Sequence, residues 1–375
     1  MENRERLLIV VGSVLLAVGI AWIMTRPVTY YSRVRMVVQP SPVSETKTGS
    51  ETQFFGTVVE KVGPPKSSPI DQILALLENG TATESDLEAL KRLLLAADPA
   101  LATAAIRDFL ATGRDARTGP DFALRPGGDI AAPTLRVLLM DVLGRIAKRD
   151  GTDSAAKLAR EILEKKDSAD EWAIALRNVA WHEPAATAYL AAKAREMLAF
   201  APWRAAPTSG MLEAFDVIVF TKDASFTADL ASAQSDPNEQ LRHAADVALD
   251  RLAAASPLDV MSYLNAHPTT LAERPMLRAD YFAKADLAQP GQKTALEFYL
   301  GRPDIADAEK TKLLKALATP AAFVSENLLT PPPPEPDDAA REHAILAATH
   351  EWLTGQRFPP LQSPLIELQR RLARE

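Results

Sequence analysis

Apolar residues follow two different patterns along this chain. The first is an unbroken run. Leu7 to Met24 (LLIVVGSVLLAVGIAWIM) holds no charge, no proline and one hydroxyl, Ser13. Its flanks, MENRER before and Thr25-Arg26-Pro27 after, are polar. A helix of this length spans about 27 Å, close to a hydrocarbon core of about 30 Å. The second pattern starts at Pro69, where alanine and leucine recur at helical spacing. Ile70, Ile73, Leu74, Leu76 and Leu77 make one apolar face. Leu87, Leu90, Leu93, Leu94 and Leu95 make another, opened by Glu84, Ser85 and Asp86. Asp98-Pro99 starts a third, with Leu101, Ala105, Ile106, Phe109 and Leu110 facing inward. An acidic or capping residue followed by proline is a helix-start signal. Further helices are predicted near 132–149, 153–166, 169–182, 184–199, 210–222, 224–234 and 237–254. The series continues near 257–266, 275–286, 291–300, 304–317, 320–328, 338–354 and 362–374.

Strand character is confined to a few places. Thr29–Val38 (TYYSRVRMVV) and Gln53–Val62 (QFFGTVVEKV) are rich in β-branched and aromatic residues. They predict either a long-looped hairpin near a membrane or, for Tyr30 and Tyr31, aromatics at headgroup level. Within the helical part only Val217-Ile218-Val219-Phe220 reads equally as strand. Three stretches interrupt the helices. Gly113–Asp129 (GRDARTGPDFALRPGGD) predicts a long loop, and loops of that length are often functional or disordered. Ala201–Ser209 predicts a shorter one, and Thr330–Asp338 (TPPPPEPDD) an extended polyproline II linker. The expected organisation is a tail at 1–6, a transmembrane anchor at 7–24 and a juxtamembrane segment at 25–68. A helical-repeat domain at 69–328, a Pro-rich linker at 329–338 and C-terminal helices at 339–375 follow.

Helices of 10 to 18 residues on short turns predict stacked hairpins. Internal similarity points the same way. Leu135-Arg136 opens LRVLLMDVLGRIA and Leu241-Arg242 opens LRHAADVALDRLA. They match at Leu135/Leu241, Arg136/Arg242, Leu143/Leu249, Arg145/Arg251 and Ala147/Ala253. Leu277-Arg278 recurs further on, and Glu171–Trp181 fits the same apolar template. The best copy, Asp236 to Pro257, resembles a HEAT-type repeat, whose second helix runs roughly Leu/Val-Arg, then Ala, then Ala-Leu, then Leu. The resemblance implies an all-α fold, an array of HEAT-like stacked helix hairpins, and a binding scaffold without chemistry of its own. In such an array each pair needs neighbours to bury both its faces.

The apolar run has a competing reading as a cleaved signal. Gly19 and Ala21 are small enough for a cut before Trp22. The run continues through Met24, however, beyond the usual apolar core of about 7–15 residues. Retention as a single-pass anchor is the expectation. Without cysteine there is no lipoprotein modification. Arg4, Arg6 and the α-amine before the run balance Arg26, Arg33 and Arg35 after it, so charge does not set the orientation. The way short N-terminal anchors usually insert favours a body on the extracytoplasmic side, periplasmic in a bacterium. Gly12, Ser13, Ala17 and Ala21 form a small-residue ridge, a route to self-association and homo-oligomers.

Charge narrows the partners. Residues 1–67 carry eight Lys/Arg and five Asp/Glu, and the remainder 34 and 44, a net of −10. A body this acidic is a poor match for a phosphate backbone or for anionic lipid, so nucleic acid is not expected. The partners expected are the bilayer, through residues 7–24, and another protein.

Chemical motifs are incomplete. No phosphate-binding GxxxxGK[ST] or GxGxxG occurs, and no GxSxG elbow. His182-Glu183 and His350-Glu351 begin like HExxH, but Ala186 and Thr354 stand where the second histidine belongs. His343 and His350 share a predicted helix face and read as surface residues. Ser44–Lys47 and Lys47-Thr48-Gly49 match SxxK and KTG, yet one lysine would have to serve two separate elements. Arg242, His243, Asp246, Asp250 and Arg251 read as a solvated face, with Arg242 and Asp246 an i,i+4 pair. No catalytic residue, cofactor or metal is assigned. The contact group expected is Arg114, Asp115, Arg117, Asp121, Phe122, Arg125 and Asp129 in the long loop. The functional expectation is a membrane-tethered helical-repeat scaffold for protein–protein interaction. The alternative is an all-helical, α/α-toroid-like enzyme acting on an envelope polymer, which needs a cleft of convergent carboxylates, histidine, tyrosine and arginine.

Overall fold

The computed structural model describes residues 68–125, 128–318, 327–331 and 338–373. The apolar run Leu7–Met24, the ridge of Gly12, Ser13, Ala17 and Ala21, and both early strand-like stretches lie outside the described residues. So does most of the helix expected at 320–328. Among the described residues no helix is long and apolar enough to cross a membrane.

The described chain is predominantly helical, and its helices begin where capping chemistry places them. Ser68 caps α1 (Pro69–Glu78), with its side chain accepting from Asp71 N. Thr83 and Asp86 form a reciprocal capping box on α2 (Glu84–Ala96), and Asp98 caps α3 (Pro99–Ala111). A short antiparallel pair follows, β1 (Ala123–Arg125) and β2 (Asp129–Ala131), with Leu124 opposite Ile130. Thr134 caps α4 (Leu135–Asp150), which ends on Gly151 in the left-handed region at φ 65°. Next come α5 (Ser154–Leu163), α6 (Ala169–His182), α7 (Thr187–Ala199) and α8 (Ala201–Ala205). Two short helices, α9 (Ser209–Glu213) and α10 (Asp216–Thr221), precede α11 (Phe226–Ala233) and α12 (Glu239–Ala255). The series closes with α13 (Pro257–Ala266), α14 (Pro275–Phe282), α15 (Pro290–Gly301), α16 (Asp307–Leu317), α17 (Asp338–Thr354) and α18 (Gln362–Leu372).

Neighbours in sequence pack as pairs, α5 on α6 and α11 on α12, while α4 packs on α6, α6 on α9, α10 on α12, α14 on α16 and α16 on α18. Contacts with the next element and with elements further along thus alternate through the series. A single apolar core runs through the described body from Ile70 to Leu372. Two close approaches depend on glycine. A Cβ on Gly144 would lie 2.3 Å from Asn178 Oδ1, and one on Gly210 2.3 Å from Asp170 Oδ1. Asn178 donates to Met140 O at 3.1 Å across the α4–α6 contact, and Asp170 accepts from Gly210 N at 3.0 Å.

Polar links join elements well separated in sequence. Arg136 grips Glu171 with two bonds of 2.7 and 3.1 Å. Arg204 meets Asp236 at 2.5 Å and Arg274 donates to Gln234 O at 2.7 Å. Arg278 clasps Glu309 at 2.7 and 2.9 Å. The residues so joined lie between 31 and 40 positions apart. The arginines of Leu135-Arg136 and Leu277-Arg278 thus reach forward to the following pair, while Leu135 is fully buried.

The structure corrects several sequence expectations. Val217–Phe220 is helical, inside α10; Val217, Ile218 and Val219 are all buried, so it reads as apolar on every side. The helix expected over 210–222 is broken in two at buried Ala214 and Phe215. The expected long loop at 113–129 carries β1 and the start of β2 and is tied down further by an Arg117–Thr134 bridge. Arg242 does not pair with Asp246. Its guanidinium donates to Asp236 O and Pro237 O at 2.8 and 3.0 Å, at the start of its own helix. The stretch Ala201–Ser209 contains α8, which buries Trp203 against Trp172 and Phe200.

The start of the Pro-rich segment is anchored. Asp216 accepts from Leu329 N, Thr330 N and Thr330 Oγ1 at 2.6 to 2.8 Å, and Arg251 holds Asp216 at 2.8 Å. The C-terminal helices pack back on the body through Trp352, which donates to buried Glu297 at 2.8 Å.

Candidate functional site

The loop residues expected to meet a partner are mostly engaged with the body. Phe122, 4% exposed, belongs to the core and is removed from the contact group. Arg114 pairs with Asp71 and Arg125 with Glu84, both at 2.9 Å. Asp115 accepts from Arg136 N at 3.0 Å, which seats the loop on the first turn of α4. Asp129 bonds Lys91 and lies 3.4 Å from Arg145. Arg117 and Asp121 are exposed and carry no side-chain hydrogen bond or ion pair among the described residues. As a unit, then, the segment straps α1, α2 and α4 together, and two of its seven candidates remain free to meet another molecule.

Behind Asp129 lies a buried charge network. Arg145 bridges Gly128 O at 2.6 Å and Asp141 at 2.9 Å. Asp141 meets Arg177 at 2.7 Å, and these two side chains are 4% and 1% exposed. Burial pulls the Arg177 guanidinium's pKa down, against the pull of Asp141. Arg177 also stacks on Trp181 at 4.0 Å, with Lys148 4.4 Å over the same ring. The neighbouring His182 has its Nε2 3.3 Å from Gly144 O, and burial lowers its pKa. His182 and Glu183 are the last residue and the C-cap of α6, and Glu183 pairs with Arg160. Among the described residues no group of three or more His, Asp and Glu is placed to hold a metal ion.

A groove of about 490 Å³ lies between α12 and α14, and a second concavity of about 300 Å³ is lined by Arg195, Arg204, Asp229 and Asp236; both fall within the range of about 300–1,000 Å³ usual for concave sites. One wall of the α12–α14 groove is a stripe on α12: His243, Asp246, Val247 and Asp250, joined by Arg251. Positions three, four and seven apart share a helix face. The other wall is Arg274, Leu277 and Tyr281. Its floor is fixed by Gln234, 1% exposed, whose amide donates to Tyr281 OH at 3.0 Å while its backbone carbonyl receives Arg274. Burial raises the Tyr281 pKa, and the charges of Asp250, Asp246 and Asp280 add to the rise. The α12 half of this groove was visible in the sequence as a polar cluster. The α14 half was not, because nothing in the chain text pairs Leu277 and Tyr281 with α12.

Histidine, carboxylate, tyrosine and arginine thus converge, but most are committed. Tyr281 is 2% exposed and bonded to Gln234; Arg251 holds Asp216; Lys284 holds Asp250 at 2.8 Å. His243 and Asp246 are exposed and, among the described residues, make no hydrogen bond or ion pair. Comparison with protein-family models, curated proteins and solved structures gives no match.

Near the groove, burial pushes the Glu213 carboxyl above its ordinary value of 4.5; Asp216 adds to this and Arg251 opposes it. The folded form thus holds its proton to higher pH than the unfolded chain does. Stability falls as pH rises through that interval, and the whole penalty is present above it. Glu213→Gln is expected to raise the melting temperature at pH 7. The gain should vanish in melts below pH 4.5, where the wild-type carboxyl is protonated in both states.

Proposed function

We propose that this protein is a membrane-tethered helical-repeat scaffold: Leu7–Met24 anchors it and the HEAT-like array of stacked hairpins holds another protein. The observation that supports the reading is the recurrence of polar links spanning 31 to 40 residues, among them Arg136 to Glu171 and Arg278 to Glu309, over one continuous core. An array built this way presents a long, rigid, repeated surface, the property that suits repeat proteins to binding. The commitment of the groove's tyrosine and arginines to internal partners weighs against an enzyme. The acidic body weighs against nucleic acid as the partner. The anchor rests on the length and purity of the apolar run. Body placement on the extracytoplasmic side and self-association through Gly12, Ser13, Ala17 and Ala21 are parts of the same proposal.

Affinity purification of the intact chain from a detergent extract of membranes tests it. A protein recovered at fixed stoichiometry, through washes that remove loosely bound material, is the expected result. A chain found in the soluble fraction, or one that purifies alone and cleaves an envelope polymer, overturns the proposal.

A further inference from the structure

We infer that the notch between Asp216 and Arg251 is a peptide seat, filled here by the chain's own Leu328-Leu329-Thr330, and that the partner protein enters it with an extended Leu-X-Thr segment of its own. This rests on the scaffold reading and gives it an address and an internal competitor.

The seat lies at a helix break. Only Ala214 and Phe215 separate the end of α9 from Asp216, the first residue of α10. The Asp216 side chain is 3% exposed, and Arg251 of α12 holds its Oδ1 at 2.8 Å. Oδ2 accepts the backbone N–H groups of Leu329 and Thr330 at 2.7 and 2.8 Å. Oδ1 accepts Thr330 Oγ1 at 2.6 Å, and the same hydroxyl accepts from Arg251. Leu328 is buried in the core and Leu329 packs against it.

These are the contacts of a bound peptide rather than of a helix pair. The docked residues belong to no helix or strand, and Thr330 lies 114 positions from Asp216 and 79 from Arg251. Two of the bonds go to main-chain N–H groups, which every residue but proline offers. The other contacts select. The apolar hole takes leucine, and a hydroxyl that gives to Asp216 and takes from Arg251 fits threonine. Pro331, next in the chain, favours extended backbone at Thr330. A carboxylate this buried is costly without its donors. Whatever displaces the strap must therefore bring the same set: two consecutive N–H groups, a hydroxyl on the second residue, and leucine two residues before it. The seat does not need its present occupant to hold its shape, since α10 packs on α7 and α12. The C-terminal helices dock separately, Trp352 on Glu297 at 2.8 Å and Arg371 on Lys315 O at 2.7 Å.

The test uses the full chain in a neutral detergent and a fluorescein-labelled peptide of residues 325–333, SENLLTPPP. Leu328→Asp with Leu329→Pro puts the strap out of its seat, by a charge that the apolar hole rejects and by loss of one donor. Fluorescence anisotropy should show the peptide binding this double variant saturably. Wild type should bind it about tenfold or more weaker, because a tethered segment competes at an effective concentration of about millimolar. Thr330→Val alone, a milder change that leaves Leu328 in the core, should shift the affinity in the same direction as the double variant. Peptides with valine for the threonine, or alanine for the first leucine, should bind the double variant about tenfold or more weaker. Those changes lie in the peptide and leave the protein's folding untouched. A double variant that keeps its helical signal and does not bind, or that binds all three peptides alike, overturns the seat and leaves the scaffold reading standing. A partner recovered from membranes should be released by excess unlabelled peptide. A partner that stays bound reduces the contact to an internal clasp and overturns the inference as well. Recovery of no partner is a failure of the scaffold reading, and the peptide series then decides the seat by itself.

Discussion

Leu249→Asp should abolish the cooperative melt of this protein, and Asp250→Ala should barely move it. Leu249 is fully buried on α12, in line with Leu241, Ala245, Leu252 and Ala253. A carboxylate there has no cation within its apolar surroundings. Burying an unpaired charge costs several kcal/mol, comparable to the roughly 5–15 kcal/mol that holds a domain together. Asp250, one residue on, faces the groove and pairs with Lys284 while 42% of its side chain remains exposed. Losing such a pair costs at most about 1 kcal/mol. Thermal melts of the two variants in the same detergent, followed by circular dichroism, check this. Similar melting temperatures would mean the buried face of α12 has been misassigned.

Asp141→Asn is expected to be the most damaging polar substitution, costing about 3–5 kcal/mol. It keeps the side chain's shape and removes the one carboxylate that, among the described residues, pairs with Arg177, whose side chain is 1% exposed. What remains to the guanidinium is Asn178 Oδ1 at 3.1 Å and the face of Trp181. Its Nε and Nη1 make no hydrogen bond among the described residues, so Asp141 holds it by charge alone. Arg145, the other neighbour of Asp141, is a quarter exposed and keeps Asp129 and Gly128 O, so it does not add much to the loss. The double variant Asp141→Leu, Arg177→Met should recover most of the stability, since a buried ion pair replaced by apolar groups of similar size is often neutral. Denaturant midpoints of wild type, single and double variants measure both parts. A single variant as stable as wild type would show that the pair does not hold α4 to α6.

Local signals carried most of the helical architecture. Asp98 before Pro99 and the turn Glu84 to Asp86 are start signals that the sequence shows directly, and they open α3 and α2; the caps Ser68, Thr83 and Asn238 came from the structure. The pairing of Leu143 with Leu249 was also legible, because a buried face leaves a 3.6-residue period. What the sequence hid depends on distance along the chain. Phe122 sits among loop-forming residues, and only the packing of β1 and β2 against the body shows it to be core. Gly144 reads as a position of no fixed type until Asn178, 34 residues on, is seen against it. The groove combines a stripe from α12 with a wall from α14, and half of a site is indistinguishable from an ordinary wet helix face. The arginines of Leu135-Arg136 and Leu277-Arg278 are the intermediate case. Their recurrence is plain in the sequence, but their role in reaching Glu171 and Glu309 needed the fold.

Native mass spectrometry of the intact chain, released from detergent micelles after gentle extraction from membranes, tests the central proposal most directly. It reads the N-terminus and the bound partner together. We expect a chain that retains Leu7–Met24 and carries a second protein at fixed stoichiometry. A chain beginning at Trp22, or an intact chain that flies alone under conditions that preserve known complexes, would contradict the membrane-tethered scaffold.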